Sequence, residues 1–200
     1  MNGLMPAATD RELWRRAASG EADAFGELYD RHANAIYNFC FRRTADWALA
    51  EDLTATVFLE AWRKRRRVVF DGEEAVRPWL FGVANNVVRN ESRRLRRFGR
   101  AVARLGAPRP MAGAADRAAD EAQMRDVLAA VRQLPRREQD VLALCVFADL
   151  TYDQAAVALG VPVGTVRSRL ARARNRLGEL SLERGHERAN DASSLPRTSA

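Results

Sequence analysis

Two hundred residues, 47% of them hydrophobic, are enough for one large or two small packed cores, and no apolar run reaches the length of a membrane span or a signal-peptide core. Against 26 acidic side chains stand 33 basic ones, a net charge of +7 gathered at 63–67, 89–104 and 167–176, so a polyanion rather than a membrane is the expected partner, in the cytoplasm. The two cysteines, Cys40 and Cys145, stand in apolar helical stretches with no CxxC or Cys/His spacing, which leaves no metal or cofactor site to expect.

Helical periodicity runs through residues 10–98, with breaks at Gly20, at 44–46 and at Asp71-Gly72. The third helix of this block, 46–67, is expected to bury Leu49, Leu53, Val57, Phe58, Ala61 and Trp62 and to expose Glu51, Asp52 and Glu60. RRRVVFDGEEAVRPW then forms a short loop with basic and aromatic flanks, a composition suited to holding an unstacked single-stranded base. The fourth helix begins near Pro78 and reads WLFGVANNVVRNESRRLRR. Its Asn86 and Asn90, four apart, share a face, and Arg89 and Arg93 lie beside them; amides and guanidinium groups together can bond base edges and phosphates at once. A buried role for Asn86, satisfying a loop backbone, is the alternative reading.

Residues 99–121 are rich in Ala, Gly, Pro and Arg and poor in large apolar side chains, so they read as a flexible linker. Patterning resumes near Ala122, where Met124, Val127, Leu128, Val131 and Leu134 form one stripe stopped by Pro135. Val141, Leu142, Leu144, Cys145 and Phe147 form a second. With two further helices these make a four-helix unit. The polar residues 181–200 lack a hydrophobic period and are expected to be disordered.

The two further helices lie in 151–177, TYDQAAVALGVPVGTVRSRLARARNRL. Thr151 and Gln154 are spaced as a capping box, Gly160 ends the first helix, and Pro162 fits the first turn of the second. On that second helix Val166, Leu170, Ala173 and Leu177 make a core-facing stripe. At about 100° per residue, Ser168, Ala171, Arg172 and Asn175 lie opposite it, with Thr165 and Arg167 on the flanks. Arg169, Arg174 and Arg176 fall nearer the helix boundary, where long side chains splay to phosphates. Five arginines with no acidic residue among them differ from an ordinary solvated face, which mixes signs for i,i+4 pairing. The pattern is that of a helix-turn-helix whose second helix enters the DNA major groove, with Arg167 and Arg172 placed for specificity.

On these residues the chain resembles the extracytoplasmic-function (ECF) sigma factors of the sigma-70 family. FGELYDRHANAIYNFCFRRTADWALAEDLTATVFLEAWRK followed by WLFGVANNVVRNESRRLRR is similar to their region 2. LPRREQDVLALCVFADLTYDQAAVALGVPVGTVRSRLARARNRL is similar to their region 4. The resemblance implies an all-α chain of two small helical domains, region 2 at 11–98 and region 4 at 122–180, joined by a linker at 99–121 and followed by a tail at 181–200. It implies a non-enzymatic subunit that binds core RNA polymerase, through the clamp of the largest subunit and the flap of the second largest, and directs initiation at promoter DNA.

By the same resemblance, Asp52 and Glu60 are the acids that contact the clamp, although Ala55 and Thr56 stand where the family usually carries Gln and Glu. Asn86 matches the base-contacting asparagine of the −10 reader, with Phe70 and Arg77 in its loop and Arg89, Asn90 and Arg93 along its helix. Arg167, Ser168, Ala171 and Arg172 fall on the −35 contact positions, supported by Thr165, Arg169, Arg174 and Arg176. Many relatives are held by an anti-sigma protein, so such a partner is expected. The competing readings are a free-standing helix-turn-helix regulator binding DNA as a dimer and a nucleic-acid enzyme with a helix-turn-helix tail. The first block resembles no ligand-binding domain, and Tyr29, Tyr37 and Tyr152 sit in packing positions rather than amid converging arginines.

Overall fold

The structure, a computed structural model, describes residues 8–102 and 115–193. Its first unit is α1 (Asp10–Ser19), α2 (Ala22–Thr44), α3 (Trp47–Lys64) and α4 (Val76–Val102). The boundaries have local causes. Thr9 caps α1 by accepting from the Glu12 amide, and Gly20 closes it in the left-handed region at φ 111°, where a side chain would be strained. Asp46 caps α3 by accepting from the Leu49 amide. Pro78 sits in the first turn of α4, where its missing N–H costs nothing.

The apolar stripes of these helices close on one another. Leu13 and Trp14 of α1, Leu28, Ile36 and Phe39 of α2, Val57 and Phe58 of α3, and Leu80, Phe81 and Val88 of α4 are all buried. Leu49 and Trp62, both expected inside, are only partly buried, while Ala50 and Thr54 take the interior positions of α3. Outside this core, Asp10 at the start of α1 holds His32 of α2, Oδ2 to Nε2 at 2.5 Å, and Arg31 at 3.1 Å.

The second unit is α5 (Ala115–Val131), α6 (Arg136–Leu142), α7 (Tyr152–Leu159) and α8 (Val163–Ser193). Between α6 and α7 the chain widens into a π-helical turn at Ala143–Phe147, a single-turn form that recurs at functional sites. The turn leaves through Asp149 at φ 52°. Periodicity gave no sign of it, because the run VLALCVF reads equally as one continuous α-helix. The capping box of Thr151 and Gln154 and the left-handed Gly160 (φ 63°) both form. Pro162 stands one residue before α8 rather than within it.

One expectation needs correction, and two segments carry more helix than expected. Val127 faces solvent while Leu128, Val131 and Leu134 are buried, so the stripe on α5 is narrower than its apolar residues suggest. Helix also enters both ends of the expected linker, with α4 running to Val102 and α5 starting at Ala115; Ala and Arg are strong helix formers even where nothing large is available to bury. The helix α8 likewise continues through ERGHERANDAS to Ser193, in the segment expected to be disordered. Residues 103–114 and 194–200 lie outside the described residues.

The two units do not stand apart. A single buried cluster runs from Leu13 to Ala173, with α4 packed on α7 and α2 packed on α5 and the π turn.

Two stability tests follow. Thr151→Ala removes one side of the capping box and lowers stability by about 1 kcal/mol, read as a shift in urea midpoint without change in slope. The hydrogen bond from His32, then the bonds and charge of Arg31, hold the Asp10 carboxyl below its ordinary value against the opposing effect of burial. Its contribution is therefore present above the ordinary carboxylate range and lost as pH falls towards the depressed value. Asp10→Asn should flatten the acid limb of a stability-versus-pH curve.

Candidate nucleic-acid interface

Helix α8 is fixed by the stripe it buries: Val166, Leu170 and Ala173 are fully enclosed and Leu177 partly. Arg167, Ser168, Ala171, Arg172 and Arg174 are consequently exposed, and Thr165 and Arg169 half-buried. The Arg172 Nε donates back to the Ser168 carbonyl at 3.2 Å, and the Arg167 guanidinium lies 5.9 Å from the Tyr152 ring centre, so both arginines are partly preorganised on the outer face. Beside them runs an open groove of about 550 Å³ lined by Arg136, Arg137, Thr165, Ser168, Arg169 and Arg172. Arg136 and Arg137 were not picked out in the sequence. The LPRREQ run contained the signal, since two adjacent arginines follow the proline that starts a helix.

Arg176 behaves differently from its neighbours. Its Nη1 donates to both oxygens of Glu138 at 2.6 Å, and Glu138 is buried. This ion pair ties α8 to α6 across the unit.

In the first unit, Asn86, Asn90 and Arg93 are exposed along α4. The buried amide of this helix is Asn85, 1% exposed, whose Oδ1 has no hydrogen-bond partner among the described residues. Phe70 is buried edge-on against Trp14 and Trp79, ring centres 5.1 and 5.7 Å away. The loop carrying it is pinned by its carbonyls: Trp14 Nε1 donates to Val68 at 2.9 Å and Arg11 Nε to Phe70 at 3.0 Å. Between this loop and α1 lies a cavity of about 460 Å³ lined by Arg11, Trp14, Arg15, Val69 and Phe70 among others. Phe70 and Trp14 give it an aromatic wall, and its rim carries two ion pairs, Arg11 with Glu73 at 3.2 Å and Arg15 with Glu12 at 2.7 Å, so the arginines would have to exchange these acids for a nucleotide. The contribution of α1 was not legible, because Arg11 and Trp14 are about 60 residues from the loop.

Arg77 and Arg89 are engaged by the second unit. Arg77 Nη2 donates to the Ala148 carbonyl at 2.9 Å, and Arg89 Nη1 lies 3.4 Å from Asp140 Oδ2. Asp140 is buried and also bonds Arg43 at 3.4 Å. Burial pulls the Arg43 guanidinium below its ordinary value, with the Asp140 charge opposing. On α3, Asp52 is exposed, and Glu60 pairs with Arg63 and Lys64 at 3.3 and 3.5 Å. Beside Glu60 is an apolar shelf where Phe25, Tyr29, Phe58 and Trp62 meet edge-on and Leu59 stands half exposed. Among the described residues no group of His, Cys, Asp and Glu is arranged to hold a metal, and no helix is long and apolar enough to cross a membrane.

Comparison with known proteins divides the chain in the same way. The model for Sigma-70 region 2 matches residues 28–98 and that for Sigma-70, region 4 matches residues 124–177. The ECF RNA polymerase sigma factor SigL of Mycobacterium tuberculosis is 34% identical over 77% of this chain and 86% of its own. Against other curated relatives the chain spans from 64% to 97% of the relative's length. Among solved structures, CnrH in complex with the cytosolic domain of CnrY superposes with a TM-score of 0.64 at 29% identity, covering 86% of this chain and 96% of that one. The sigma factor RpoE in complex with the anti-sigma factor NepR, from Bartonella quintana, gives 0.53 at 25% identity over 78% and 95%.

The Glu138 pairing separates two neighbouring arginines experimentally. Arg176→Ala strands a buried carboxylate and should lower the urea midpoint of the second unit. Because Arg176 is itself nearly half exposed, the loss should sit near the low end for charged hydrogen bonds, about 1–2 kcal/mol. Arg172→Ala, on the open face, should change stability by less than about 0.5 kcal/mol.

Proposed function

Since the chain belongs to the ECF RNA polymerase sigma factors of the sigma-70 family, we propose that α8 reads the −35 element and that α4 with the loop before it reads the −10 element. The observation that carries this reading is the outer face of α8. Arg167, Ser168, Ala171 and Arg172 project from a helix whose other side is locked into a core, with no acid among them. In the major groove, Arg167 and Arg172 bond guanine edges bidentately and set sequence preference. Arg169 and Arg174 meet phosphates, as do Arg136 and Arg137 from the neighbouring groove, adding affinity without preference. Arg176, tied to Glu138, supports the helix rather than the DNA.

At the −10 element, the cavity between α1 and the loop receives an unpaired base, with Arg11 and Arg15 at its rim and Phe70 and Trp14 in its wall. Asn86, Asn90 and Arg93 face the adjoining strand, and Arg77 and Arg89 join them when released from the second unit. No catalytic step is assigned to this chain, since polymerization belongs to the core enzyme. Two DNA readers joined in one chain gain avidity only at a matching separation, so the distance between promoter elements becomes part of the specificity. Core polymerase fixes that distance. The clamp docks on α3, where Asp52 and Glu60 supply charge and Leu59 and Tyr29 supply apolar area, and the flap contacts the second unit. The anti-sigma complex of the related RpoE supports a regulatory partner of the same kind here.

Adding the protein to core RNA polymerase on a promoter library should create new transcription start sites; none would refute the assignment. Arg172→Ala should reduce discrimination at one −35 position by about tenfold, within the ~1–3 kcal/mol of a bidentate guanine contact. Asp52→Lys should weaken core binding while leaving duplex DNA binding by the free chain unchanged.

A further inference from the structure

The basic run 63–67 leads directly into the loop that carries Phe70, and its side chains are not equivalent. Arg63 and Lys64 pair with Glu60, while Arg65 donates to the carbonyls of Ala17 and Trp62 with its guanidinium over the Trp62 ring. Arg66 and Arg67 are exposed, and among the described residues no carboxylate lies within ion-pair distance of either. Burial then alternates along the next three residues: Val68 is half-buried, Val69 is 84% exposed and Phe70 is buried. The carbonyls on either side of Val69 are pinned, that of Val68 by Trp14 and that of Phe70 by Arg11, so the backbone holds the Val69 side chain outward. It is the most exposed large apolar side chain among the described residues, and it also lines the cavity between α1 and the loop. From this geometry we infer that Val69 is a wedge: as a base of the −10 element leaves the stack for the cavity, Val69 enters the step it vacates, and Arg66 and Arg67 hold phosphates of the same strand.

Scattered apolar residues are ordinary on a protein surface, and what marks this one is its setting. A base that leaves the stack exposes the faces of its neighbours to water, in a slot about as thick as the ~3.4 Å spacing along one strand. An apolar side chain that fills the slot restores that burial, which is how wedges hold a duplex kinked or partly unstacked. Valine suits the task, because branching at Cβ leaves it few rotamers and so little freedom to lose on insertion. A wedge must also resist being pushed back. Phe70, buried edge-on against Trp14 and Trp79, anchors the residue next to Val69. The charges choose the occupant: an apolar tip preceded by two uncommitted guanidinium groups matches a strand in which bases and phosphates alternate, rather than an apolar protein surface. The cavity lies beside that tip, so the displaced base has its receptacle within reach of the side chain that replaces it.

The inference rests on the cavity as the site that receives an unpaired base, and the test keeps the two apart. Holoenzyme assembled from core RNA polymerase and the full chain is given one promoter recovered from the library, first as a duplex and then with mismatched strands across the −10 element. The rate of first-product synthesis is measured on each. Val69→Ala should lower the ratio of the duplex rate to the mismatched-template rate by about tenfold, the factor expected when two buried carbons are lost from the step. Val69→Ile, which keeps a branched apolar tip, should leave that ratio near the wild-type value. Because Val69 is exposed, neither variant should move the urea midpoint. The double variant Arg66→Gln, Arg67→Gln should make the salt dependence of duplex opening shallower by about one to two phosphate contacts. An equal loss on both templates, a loss of core binding, or no loss on either template overturns the wedge. An unchanged salt dependence overturns the phosphate contacts of the two arginines. The cavity has its own readout: abasic sites placed one at a time through the −10 element should weaken holoenzyme binding at one position. If none does, the cavity falls as a base site, while the duplex-to-mismatch ratio still decides the wedge.

Discussion

Asp140 is a carboxylate buried at the junction of the two units, and its countercharges come from the other unit. A lone buried carboxylate is costly, and here Arg43 and Arg89 approach its two oxygens from α2 and α4. Neither pairing is ideal at 3.4 Å, and both arginines keep an unsatisfied Nε. The arrangement thus orients one unit on the other through two charge-assisted contacts that are both longer than ideal. Carboxylate and phosphate pair with guanidinium groups through the same charge-assisted hydrogen bonds, so the junction uses the side chains that would otherwise suit a phosphate.

Within the second unit a tighter version of the same pairing does a different job. Glu138 binds Arg176 with both oxygens at 2.6 Å and has one partner from its own unit. It fixes the roll of α8 together with Val166, Leu170 and Ala173, so that the outer arginines face one direction. Two buried acids two residues apart on α6 therefore divide the work: one fixes the roll of α8 and the other orients the whole unit.

Much of this was legible in the sequence where local chemistry decides the outcome. The end of α1 at Gly20, the break before α3 at 44–46 and both ends of α7 at Thr151 and Gly160 were marked locally, and the buried stripe of α8 follows from spacing alone. Long-range partnerships were not legible. Helical angle set Arg176 nearer the core than Arg172 but could not supply Glu138 as its partner, and nothing local marks Asn85 as a buried amide or Arg77 as a ligand for a carbonyl 71 residues away. Nor does hydrophobic patterning report helices that bury little, such as the two helix ends that reach into the linker and the C-terminal part of α8.

The π turn at Ala143–Phe147 holds one residue more between its bonded partners than an α-helical turn would. Removing one residue there would restore ordinary α geometry with the flanking positions kept, whereas the same deletion inside a regular helix rotates everything beyond it by about 100°. Asp140 lies before the turn and Ala148 after it, so the segment joining these two anchors of the junction is the place along this stretch where the loss of a residue is most readily absorbed.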